Sequence, residues 1–137
     1  MKHQIIWLAL VLAIQTNAQT EVAGKKVVEA FGQTEVGKMN EGQILWQNFL
    51  ADNMCAVNEI TDEKSAGYDE INLESTGKID ISNLTSSNFN PFLHHIIPLQ
   101  SEHQYLKIAG SNKVVFVYSM DRLRVMYDRY LINHKKS

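Results

Sequence analysis

The chain has 137 residues, with 13 Lys and Arg against 15 Asp and Glu, and a single cysteine. A net charge of −2 is not the balance of a nucleic-acid binder. A lone thiol closes no internal disulfide, so packing alone must hold the fold.

Lys2 and His3 precede an unbroken apolar run, Ile5 to Ile14, followed by Thr16-Asn17-Ala18. A basic start, an apolar centre and a small-residue exit make the pattern of a secretory signal peptide. Ten helical residues rise about 15 Å, roughly half of the ~30 Å hydrocarbon core, so this run is too short for a membrane anchor. Residues 1–18 are therefore expected to be removed during export to the periplasm or the extracellular space. One domain of 119 residues (137 less 18), Gln19 to Ser137, would remain, with no transmembrane anchor.

Val22 to Gln33 predicts a short helix stopped by Gly32. Gln43 to Val57 predicts a longer one, because Trp46, Phe49, Leu50, Met54 and Val57 recur at helical spacing. Ile44, Ala51 and Cys55 project from nearly the opposite side, so this helix should be packed on both faces. Asn58 to Asp69 is polar and acidic and reads as a loop.

Glu70–Glu74 and Lys78–Ser82 each alternate apolar with polar residues across Ser75-Thr76-Gly77, the pattern of a β-hairpin with Ile71, Leu73, Ile79 and Ile81 inward. Asn83 to Asn90 is a polar loop, and Pro91 and Pro98 then bracket a stiff apolar segment expected to form one helical turn. Tyr105–Ile108 and Lys113–Tyr118 predict a second hairpin across Ala109-Gly110-Ser111-Asn112. The uninterrupted Val114–Tyr118 should be central, with both faces covered. Ser119 reads as an N-cap and Asp121 as its first-turn acid. Leu123, Met126, Tyr127, Tyr130 and Leu131 then form the apolar stripe of a final helix, with Arg122, Arg124 and Arg129 toward solvent.

The expected fold is α+β: a small single domain with a four-stranded, mostly antiparallel sheet of two hairpins. N-terminal helices and a C-terminal amphipathic helix pack on it.

No chemical motif has workable spacing. His94, His95 and His103 lack the i, i+4 separation that brings two imidazoles to one metal, so no metal and no cofactor is expected. Cys55, placed near the C-terminal end of its helix, has a setting that disfavours a thiolate. Asp62 to Leu73 overlays a calcium loop at Gly67, but Lys64, Ala66 and Leu73 stand where oxygen ligands belong. Asn83-Leu84-Thr85 matches the N-glycosylation triplet, a pattern frequent by chance.

These absences favour a non-catalytic binding or accessory domain over an enzyme, its partner another exported or envelope protein and not a nucleic acid. The alternative is a small hydrolase or metal-dependent enzyme using Cys55 or His94, His95 and His103. Two surfaces are candidates for binding. One is the loop Asn83–Asn90 with Phe89 and Phe92, unless those rings tuck into the core. The other is the basic face of the last helix, Arg122 and Arg129 with Arg124.

Overall fold

A computed structural model of the protein describes residues 21–73 and 80–135. The expected signal peptide and the expected turn Ser75–Gly77 lie outside these residues. Helix α1 (Lys25–Gly37) and helix α2 (Glu41–Asn53) lead into strand β1 (Cys55–Glu59). The short helix α3 (Asp62–Ser65) and strand β2 (Asp69–Ile71) follow. Two 3-10 turns, Ile81–Asn83 and Pro91–His94, precede strands β3 (Gln104–Ile108) and β4 (Lys113–Val117), and helix α4 (Met120–Lys135) completes the order. Among the described residues, no helix is long and apolar enough to cross a membrane.

The architecture is α+β with a four-stranded sheet in the order β1-β4-β3-β2. The hairpin β3–β4 forms as its sequence predicts, with Tyr105 opposite Phe116 and Leu106 opposite Val115. Gly110 in its turn has φ 78°, a conformation in which a side chain would be strained. Strand β4 is central, flanked by β1 and β3.

Among the described residues, the other expected hairpin does not form. Asp69–Ile71 pairs in parallel with β3, Ile71 opposite Ile108, and Ile81 lies in a 3-10 turn. The sheet is therefore mixed. Apolar alternation specifies a half-buried extended segment but not its partner, and here the partner lies across the long connection 72–103.

The fourth strand comes instead from the end of the segment expected to be helical, Cys55 to Val57, and the first two residues of the expected loop. Helix α2 stops at Asn53, and Cys55–Glu59 pairs antiparallel with β4, Cys55 opposite Val117 and Val57 opposite Val115. Met54 and Val57 continue the helical spacing only by coincidence. Tyr118 N–H donates to the Met54 carbonyl at 3.1 Å, so sheet hydrogen bonding takes over directly after the helix. Strand β1 and α3 replace half of the expected acidic loop.

Helix α1 does break at Gly32 (φ 81°, ψ 158°), but helical turns resume and reach Gly37. Helix α2 opens with a capping box: Asn40 accepts from Gln43 N–H at 2.9 Å, and the Gln43 side chain accepts from Asn40 N–H at 2.9 Å. It packs against α1, α4 and β1, as a two-sided helix should.

One face of the sheet meets the helices. Val115, Val117 and Ile108 are fully enclosed there with Phe49 and Leu50 of α2, its C-cap Met54, and Leu123 of α4. Alternation places Tyr105 and Phe116 on the other face, against the expectation that both faces of β4 are covered by packed elements. Tyr68 stacks on Tyr105 (5.2 Å), Tyr105 meets Phe116 (5.1 Å), and Phe116 meets Tyr118 (4.8 Å) and His103 (5.1 Å). These rings cover one another, and Tyr105 remains 48% exposed.

The start of α4 satisfies its backbone donors in full. Met120 and Asp121 N–H donate to the carbonyls of Leu99 and Gln100, and Arg122 N–H donates to the Ser119 hydroxyl at 3.2 Å. Ser119 N–H in turn donates to His103 Nδ1 at 3.0 Å. At the other end of the domain, the Asn48 amide clamps the N-terminal arm. It accepts from Gly24 N–H at 2.7 Å and donates to the Val22 carbonyl at 2.8 Å. Glu21 reaches His134, joining the arm to the last turns of α4.

Candidate functional site

The polar segment Asn83–Asn90 is a built structure with side chains that fold back onto the backbone. Asp80 Oδ1 accepts from Ser82 N–H (3.1 Å) and the Ser82 hydroxyl (2.5 Å), and Oδ2 accepts from Asn83 Nδ2 (2.6 Å). The Ser82 hydroxyl first, then backbone and Asn83 donors, hold the Asp80 carboxyl below its ordinary pKa. Asn88 accepts from Thr85 N–H at 2.8 Å and donates to the Asn83 carbonyl at 2.9 Å. Asn90 is buried, accepts from Phe92 N–H, and donates to the Lys26 carbonyl at 2.9 Å. Such local bonds explain the density of Asn, Ser and Thr: each supplies a turn the backbone cannot close alone.

Two ammonium groups brace the loop from behind. Lys113 is only 8% exposed, and its Nζ donates to the carbonyls of Ile81 (2.9 Å), Ser82 (3.0 Å) and Leu84 (2.9 Å). Lys26 Nζ bridges the Ala51 and Ser86 carbonyls at 3.2 and 3.4 Å and lies 3.7 Å from Asp52. Ser86 also reaches strand β1, its hydroxyl accepting from Val57 N–H at 2.8 Å.

Between this loop and α1 lies a cleft of about 250 Å³. Leu84, Phe89 and Leu93 supply its apolar lining, and Glu29, Asp80, Asn83, Asn88, Asn90 and His94 its polar lining. The His94 ring stacks flat on Phe89 (5.4 Å, 9° between planes). Its Nδ1 is enclosed and has no hydrogen-bond partner. Burial, and secondarily the neighbouring His95, lowers the His94 pKa, which leaves the ring neutral at pH 7.

The candidate residues fall in separate places. Phe89 is 2% exposed and belongs to the core, so it presents no aromatic anchor to solvent. Phe92 is half-buried, its ring tilted against Phe31 at 5.2 Å. Arg122 and Arg129 are exposed on α4, with Arg124, and none of the three lines the cleft.

Cys55 opens strand β1 directly after Met54, the C-cap of α2. Burial, offset in part by Lys26, pushes its thiol up to about 12, which disfavours the thiolate. His94 lies over Phe89, His95 is exposed in a left-handed conformation (φ 54°), and His103 caps Ser119. Among the described residues, no group of three or more His, Cys, Asp or Glu could hold a metal ion.

Sequence reading missed Glu29, Asp80 and Lys113. Lys113 had a usable signal: it is in phase with Val115 and Val117, which point inward, so its ammonium had to find buried acceptors. Asp80-Ile81-Ser82-Asn83 also has an Asx-turn composition, which the presumed strand obscured. No family model matches the chain, and searches of curated proteins and of solved structures returned no match.

Proposed function

We propose that this is an exported, non-catalytic binding or accessory domain that acts in the periplasm or outside the cell. Its recognition element is the loop Asn83–Asn90 together with the cleft behind it. The observation that carries this reading is the extent of bracing. Side-chain turns and two ammonium groups fix a polar surface loop in one conformation around a concave site. A loop held rigid beside a cleft is a form suited to recognition, since little ordering cost remains at binding. Support for export is the signal-peptide pattern of residues 1–18. The catalytic alternative draws no support from the half-buried Cys55, whose thiol is pushed up to about 12, or from His103, which is engaged at Ser119 away from the His94–His95 pair.

Crosslinking in the producing organism's extracytoplasmic fraction tests the reading. A partner should be captured by the wild type and by Arg122→Glu/Arg129→Glu, and lost with Glu29→Arg, which places a long cation at the cleft. Loss with the α4 changes alone would transfer recognition to the basic helix face. The captured protein should begin at Gln19; an intact Met1 would overturn export.

A further inference from the structure

The face of the sheet turned away from α1, α2 and α4 gathers the aromatic residues of three segments. Ala56 of β1 is opposite Phe116 of β4, and Phe116 is opposite Tyr105 of β3, so the three share that side. Tyr68, just before β2, stacks on Tyr105, and Glu70 lies on the same side, opposite Lys107. Tyr68, Tyr105, Phe116, Tyr118 and His103 thus form one connected set of rings, with neighbouring centroids 4.8–5.2 Å apart. Tyr105 and His103 are exposed, and Tyr68, Phe116 and Tyr118 are half-buried. Rings held against one another on a strand surface lose little side-chain freedom when a partner arrives.

The border of this face has one sign of charge. Residues 59–71 leave β1 at one edge of the sheet and enter β2 at the opposite edge. Ile60 N–H donates to the Asn112 carbonyl at 2.7 Å at the start of this crossing, and Tyr68 ends it on Tyr105. The crossing carries Glu59, Asp62, Glu63, Asp69 and Glu70 against Lys64 alone, a charge of −4 (five acids less one lysine). Lys107 faces Glu70, and Lys113 is spent on the carbonyls of the loop. The chain's three arginines all belong to α4.

Aromatic rings bordered by negative charge complement one side chain above others. A guanidinium is planar, weakly hydrated and always charged, and it stacks on aromatic rings, which a compact ammonium does less well. We propose that this face docks an arginine-bearing basic segment of a partner protein, its guanidinium groups against Tyr68, Tyr105 and Phe116 and its charge met by the acidic crossing. None of these residues lines the cleft beside α1, so the surface goes beyond the loop and does not depend on it.

Titration of the isotope-labelled protein with the peptide acetyl-(Arg-Ser)4-amide at about 20 mM salt, followed by backbone amide shifts, tests the surface. Saturable shifts are expected at Tyr68, Glu70, Tyr105 and Phe116, with Kd roughly 20–200 μM. Salt at about 0.3 M should weaken binding at least fivefold, because exposed charges are screened. Acetyl-(Lys-Ser)4-amide should bind about threefold more weakly or worse, since it meets the charge but not the rings. Tyr105→Leu, which keeps an apolar strand residue, should weaken the arginine peptide about fivefold or more. Glu70→Lys, at an exposed position that leaves the rings in place, should do the same. Equal affinity for the two peptides, or no saturation, would overturn the proposal. So would cellohexaose binding in place of the peptide, which would make the rings a saccharide platform. Peptide-induced shifts confined to Asn83–Asn90 would place the basic segment at the loop and also overturn this face. The loop's own role is read separately, from partner capture with Glu29→Arg, so failure on the sheet face leaves that reading intact.

Discussion

The Lys113 ammonium lies 2.9 Å from the Leu84 carbonyl, which ties the central strand to the polar loop. It bonds two more carbonyls, and those three contacts replace the hydration that a buried cation gives up. Lys113→Met keeps the apolar stem and leaves the three carbonyls without this donor. It should lower stability by about 1–3 kcal/mol, the cost of orphaning buried polar groups. Urea unfolding measures the loss, and hydrogen exchange should accelerate at Leu84 and Phe89 more than at Val115.

Phe89 and Phe92 should separate cleanly. Phe89 is enclosed, and truncation to Ala should cost about 3–5 kcal/mol, the range for a large buried ring. Phe92 is half-buried beside Phe31, so its truncation should cost roughly half as much or less. Equal effects in denaturant titrations would mean that the loop packs differently.

Cys55 should resist alkylation. A thiol pushed up to about 12 holds almost no thiolate at pH 8, and partial burial also hinders the reagent. Iodoacetamide should leave the native protein unmodified over hours and label it rapidly in 6 M guanidinium chloride, as followed by intact mass. Fast native labelling would remove Cys55 from the enclosed sheet face.

Acid should weaken the fold through His94. Its pKa is below the ordinary value of about 6.5 in the folded state, so the unfolded chain binds a proton first as pH falls. The contribution is fully present above about 6.5 and is lost as pH drops toward the folded-state value. The urea midpoint should therefore fall between pH 7 and pH 5, and His94→Phe should reduce that fall. An unchanged pH slope in the variant would assign the effect elsewhere.

The final helix and the β3–β4 hairpin were legible in the sequence, because each has local rules. Ser119 caps, the stripe beginning at Leu123 repeats at helical spacing, and Gly110 permits the turn. Strand β1 and the parallel placement of β2 were not legible, because both depend on residues far along the chain. Nothing in Cys55–Glu59 announces that Val114–Val117 will pair with it, and the helical spacing of Met54 and Val57 argued for the opposite. The cleft was hidden for the same reason. Glu29 and Asp80 are brought together only by the packing of α1 against the loop, whereas the Asn and Ser residues between them had visible turn chemistry.

The Ser86 hydroxyl on Val57 N–H has a further consequence at the margin of the sheet. Strand β1 is an edge strand, and an open row of amides there would be a template for a neighbouring chain. Ser86 occupies the amide in the middle of that row with a side chain, so an incoming strand finds its central register position taken. The loop thus guards the domain against self-association at high local concentration.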